Sequence, residues 1–136
     1  MAQTDIAETA VYYEEVRRNG LLLTAQDAHQ WSHGVLRALG FALPRGVRKD
    51  LARALPEELA KPLSRKFWLL HFHDKDKPVG EFLKEIALTS GNTDRAFAVH
   101  PTTAVFHELK AMAGPELSDD VAEALAPEIA DLWRRA

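Results

Sequence analysis

Apolar residues recur along this chain at the three- and four-residue spacing of helices, in stretches cut by glycine and proline. Val11, Tyr12 and Val16 set the first stretch, with Thr4 or Asp5 placed to cap it, Arg17 and Arg18 in its last turn and Gly20 as the residue beyond its end. Leu21, Leu22 and Leu23 lead into Thr24, which with Asp27 three residues later predicts a capped second helix. Its apolar stripe is Ala28, Trp31, Val35, Leu36 and Leu39, and Gly40 is positioned to stop it. Val47, Leu51, Ala54 and Leu55 predict a short third helix closed by Pro56. A fourth, with Glu57 and Glu58 at its positive end, runs through Leu59 to Pro62. Residues 64–72 fit either a helical extension or a brief extended segment, because so short an apolar run has no readable period.

The second half reads the same way. Tyr12 laid over Phe82, a shift of 70 positions, brings Val16 onto Ile86, Ala28 onto Ala98, Val35 onto Val105, Leu36 onto Phe106 and Leu39 onto Leu109 without a gap. Leu51 then meets Val121, Leu59 meets Ile129 and Leu63 meets Trp133, while Thr24 and Asp94 are equivalent caps. Apolar patterns match themselves readily, but here the loops keep their lengths too. The expectation is an all-α, compact helical bundle in one domain, 1–136, made of two tandem pseudo-repeat units of about four helices each, approximately 5–66 and 75–136. Trp31 aligns with Pro101, and an interior proline forfeits a helix hydrogen bond. The second unit's equivalent helix should therefore break near His100 and restart at Pro101.

Tyr12-Tyr13-Glu14-Glu15-Val16, Asp27-Ala28, Val35-Leu36-Arg37-Ala38-Leu39, Asp50-Leu51-Ala52 and Leu55-Pro56-Glu57-Glu58-Leu59 together resemble the bacterial domain-of-unknown-function family numbered 2267. Glu81-Phe82-Leu83, Ala104-Val105-Phe106 and Leu125-Ala126-Pro127-Glu128-Ile129 repeat the resemblance, with the Leu-Pro step displaced by one residue. The resemblance implies an all-helical bacterial domain. It brings no activity and no catalytic or ligand residues.

Composition narrows the function classes. The 136 residues contain no cysteine, which removes disulfides, thiolate nucleophiles and Cys-based zinc sites. A formal charge of -3 without long blocks of one sign disfavours a phosphate-neutralising surface, so no nucleic-acid partner is expected. The run Phe67-Trp68-Leu69-Leu70 falls far short of the ~20 residues of a membrane span, and the N-terminus has no apolar signal region. A cytoplasmic protein with no membrane partner is the expectation.

Six histidines raise the question of a metal. His29 and His33 stand four apart on the second helix, a spacing that lets two imidazoles share an ion, yet no Glu follows His29, and His33 lies nearly opposite the stripe of Ala28, Val35 and Leu39, as on a solvated face. His71, His73, Asp74 and Asp76 supply four oxygen or nitrogen donors within six residues, a zinc-type set if the segment is extended and a polar connector if it is not. His100 and His107 fall on polar faces. Glu14-Glu15, Glu57-Glu58 and Asp119-Asp120 are sequence neighbours, which point about 100° apart on a helix instead of facing each other across a substrate. No phosphate loop, dinucleotide fingerprint or nucleophile elbow occurs, so neither an enzyme nor a cofactor has positive support. The core is the expected place for most of Tyr12, Tyr13, Trp31 and Trp133, and Trp68 is the aromatic expected to be partly exposed. A non-catalytic interaction protein follows, a homodimer or one that meets a protein partner through Phe67, Trp68 and Phe72, with metal binding as the alternative. A private function is expected either at positions where the halves differ, such as Trp31 against Pro101 and His29-His33 against Val99-Thr103, or in the connector between them.

Overall fold

The computed structural model describes residues 2–64 and 76–136, with side chains from Thr9 onward. These residues form eight α-helices and one 3-10 turn, with no strand among them. The first four helices are α1 (Ala2–Asn19), α2 (Ala25–Ala42), α3 (Arg45–Ala54) and α4 (Glu57–Ser64). After residue 76 come α5 (Val79–Ser90), the 3-10 turn Arg95–Ala98, α6 (Val99–Ala113), α7 (Pro115–Ala124) and α8 (Pro127–Arg135).

Local chemistry explains most of these boundaries. Thr24 caps α2 by accepting the Asp27 N–H at 3.0 Å, and Pro115 and Pro127 open α7 and α8, where a missing N–H costs nothing. Three boundaries differ from the sequence reading. Helix α1 already runs from Ala2, ahead of Thr4 and Asp5. Gly40 does not end α2 but lies inside it, because a side chain there would have its Cβ 2.4 Å from the Leu63 carbonyl oxygen; the glycine lets α4 approach. Pro62 likewise does not stop α4, which continues to Ser64 with Leu59 and Leu63 buried on either side of it. In the second half the α-helix starts at Val99 after the 3-10 turn, so Pro101 occupies the first turn, where the lost donor is tolerated.

A single cluster of buried side chains runs through both halves, including Tyr12, Val35, Leu39, Phe82, Val105, Phe106 and Trp133. Phe106 meets Trp133 edge-on with ring centroids 5.0 Å apart, and the Trp133 indole N–H donates to the Ser118 carbonyl at 3.0 Å. Contacts between halves come in exchanged pairs: α1 packs on α6 as α5 packs on α2, while α2 meets α6 and α3 meets α7. Helices α3 and α7 keep the shift of 70 at both ends, and α4 and α8 keep it at their starts. Crossing helices in this way brings the α1–α2 and α5–α6 connectors to one end of the molecule, where the groove described next lies.

Candidate functional site

An open groove of about 690 Å³ separates the two connectors. Trp31 of α2 and Pro101 of α6 line it together, and they are the residues that the shift of 70 superimposes. Two glycines let the connectors close over these helices. A Cβ on Gly91 would lie 2.6 Å from Trp31 Cζ2, and one on Gly20 would lie 3.2 Å from Pro101 Cα. Leu21, Leu23 and Phe97 form apolar walls with 71%, 89% and 65% of their surfaces exposed. Asp27, Gln30, Thr93 and His100 are the main polar contributors.

Leu21 is strained as well as exposed. Helix α1 ends with the Leu22 N–H donating to the Arg17 carbonyl at 2.9 Å and the Leu21 N–H donating to the Arg18 carbonyl at 3.3 Å, a closure that places one residue in the left-handed region. That residue is Leu21, with φ +58°, and not Gly20, which the sequence pattern predicts for that place. A left-handed conformation costs an L-residue about 1–2 kcal/mol, and glycine would avoid it. Packing does not explain the leucine, since most of its side chain faces solvent. Strained residues of this kind concentrate at binding sites.

The groove also contains Ser90, His100 and Asp27, residue types of a nucleophilic triad, but the geometry does not assemble one. The Ser90 hydroxyl is buried without a hydrogen-bond partner among the described residues, and it is turned toward α2, so that a Cβ on Gly34 would fall 1.7 Å from it. A serine without an adjacent base is a poor nucleophile.

Titratable side chains also gather on the outer side of α2. His29 stacks on Tyr13 of α1 with ring centroids 3.9 Å apart, and His33 Nε2 is hydrogen-bonded to the Tyr13 hydroxyl at 3.1 Å. Glu58 of α4 stands 4.0 Å from His29. Tyr13 thus covers part of this face, at His33 above all, while His29 and Glu58 keep 45% and 47% of their side-chain surfaces exposed, as the helix pattern predicts. Burial, aided by the charge of His29, lowers the His33 pKa, with Glu58 opposing. Burial and the Glu58 carboxylate together raise the Tyr13 pKa. Among the described residues no group of three or more His, Asp or Glu is arranged to hold a metal. Of the connector candidates, Asp76 lies exposed in the turn before α5, whereas His71, His73 and Asp74, like Phe67, Trp68 and Phe72, lie outside the described residues.

Residues 9–132 match the family described as "Uncharacterized conserved protein (DUF2267)". The chain belongs to that family. The match spans both halves, so this DUF2267 chain carries the groove-forming residues 20–31 and 90–101 inside its family segment. No curated protein matches the chain.

Proposed function

We propose that this DUF2267 chain is a non-catalytic binding domain whose groove between the α1–α2 and α5–α6 connectors receives an apolar ligand body. The observation that carries the reading is Leu21, held in a left-handed conformation with its side chain in solvent at the groove rim. Stability alone favours glycine there; a bound partner supplies the reason for leucine. Size and lining agree, since ligand sites commonly enclose about 300–1,000 Å³ with mostly apolar walls and a few polar groups. On the same reading the two halves are copies of one unit that diverged in the groove: Gly20 against Ser90, Gln30 against His100, Trp31 against Pro101.

A fragment screen by two-dimensional amide NMR tests the proposal. Small apolar aromatic fragments should shift the amides of Leu21–Asp27 and Gly91–His100 together. Shifts scattered over the surface, or confined to the Tyr13-His29-His33 face, would refute it.

A further inference from the structure

Charge is distributed unequally in this groove. Among the described residues that line it, Asp27 is the one with a formal charge at pH 7, and no lysine or arginine accompanies it. Its backbone N–H is taken by Thr24, while its carboxylate has no ion-pair partner among the described residues. Phe97, 65% exposed, presents aromatic surface to the same space beside the largely buried Trp31, and aromatic faces attract cations as the carboxylate does. His100 also lines the groove, on the side of α6.

From this complementarity we infer that the ligand class is a compact amphiphile with an apolar, aromatic-sized body and a cationic amine head, the body against Trp31, Leu21 and Phe97 and the head toward Asp27. The inference rests on the binding reading above and adds the sign of the ligand's charge. An anionic head would be repelled by the Asp27 carboxylate, with no lysine or arginine among the described lining residues to offset it, and a neutral head would leave that carboxylate to solvent and to the N-terminus of α2.

The test uses three probes that share one body: phenethylamine, 2-phenylethanol and phenylacetate. Amide NMR titrations at low salt should give an amine that binds about fivefold more tightly than the alcohol, the worth of a partly exposed ion pair, and an acetate weaker than both. Salt at about 1 M should erase the difference between amine and alcohol while leaving alcohol binding in place. The Asp27→Asn variant retains the Thr24 cap, which uses the backbone N–H, and should bind amine and alcohol alike. Equal or tighter binding of the acetate would overturn the charge assignment and leave the groove as a binding site. An amine preference unchanged in Asp27→Asn would do the same. No response at the groove to any of the three would overturn both readings.

Discussion

Replacing Tyr12 by phenylalanine tests how buried polar groups are matched in the core. Tyr12 on α1 and Ser32 on α2 share a buried hydrogen bond at 2.5 Å, and neither side chain reaches solvent to any extent. Burial raises the Tyr12 pKa above its ordinary value, despite the Ser32 contact, which lowers it. Loss of that hydroxyl strands Ser32 Oγ without water, at a cost of about 1–3 kcal/mol. In the second half the corresponding residues are Phe82 and Thr102, and Thr102 Oγ1 is buried with no hydrogen-bond partner among the described residues, so this half already carries the penalty that Tyr12→Phe would create in the first. Tyr12→Phe should therefore lower the unfolding free energy by about 1–3 kcal/mol, while Thr102→Val, which removes an unmatched hydroxyl at nearly constant shape, should be neutral or raise it by up to ~1 kcal/mol. Phe82→Tyr should stabilise the parent but not a Thr102→Val background, if the shift of 70 relates contacts as well as positions. Urea unfolding followed by far-UV circular dichroism resolves differences of this size when the slopes agree. A Tyr12→Phe variant within ~0.3 kcal/mol of the parent, or a strongly destabilised Thr102→Val, would refute the reasoning.

Other outcomes follow from the same structure. Leu21→Gly relieves a left-handed leucine and should raise stability by about 1 kcal/mol in thermal melts while weakening fragment binding in the groove; loss of stability would mean that Leu21 is held by packing. Gly34→Ala should destabilise by about 1–3 kcal/mol because its Cβ overlaps the Ser90 hydroxyl, and adding Ser90→Gly should recover most of the loss, as a double-mutant cycle in urea would show. Because the folded-state pKa of His33 lies below its unfolded value, the neutral imidazole's contribution is complete above the unfolded pKa. It is lost as pH falls from about 6.5 through the folded pKa. Stability curves against pH should show this acid-side loss, and His33→Gln should flatten it; an unchanged slope would assign the loss to other groups.

Much of the fold was legible because helix periodicity and capping are local. Leu36, Leu39, Phe106 and Leu109 read as core from spacing alone, and all are buried. Gly40 and Pro62 misled because a glycine or proline marks a stop only where no neighbouring helix demands it, and the approach of the Leu63 carbonyl is invisible in the sequence of α2. The contacts of Tyr13 with His29 and His33 are hidden for a similar reason: a helix pattern identifies its own apolar stripe, not the residue that a second helix lays against part of its other face. The groove combines residues 20–31 with residues 90–101, so no local window contains it. One signal was present, namely the three consecutive leucines Leu21-Leu22-Leu23 in a connector, where turn chemistry calls for polar residues and glycine. Their consequence depends on the left-handed position falling to Leu21 and not to Gly20, which follows from the closure of α1 by the Leu21 and Leu22 N–H groups.

The central claim is that the groove between the connectors is the binding surface, and the most direct measurement is the fragment response of the parent compared with that of Ala96→Trp. Ala96 lines the groove from an exposed position on the 3-10 turn, so an indole there fills the space without entering the core. The account predicts that fragments shift Leu21–Asp27 and Gly91–His100 amides in the parent, and that Ala96→Trp abolishes the response while its circular dichroism and unfolding midpoint stay those of the parent. An undiminished response in a well-folded Ala96→Trp protein would contradict it.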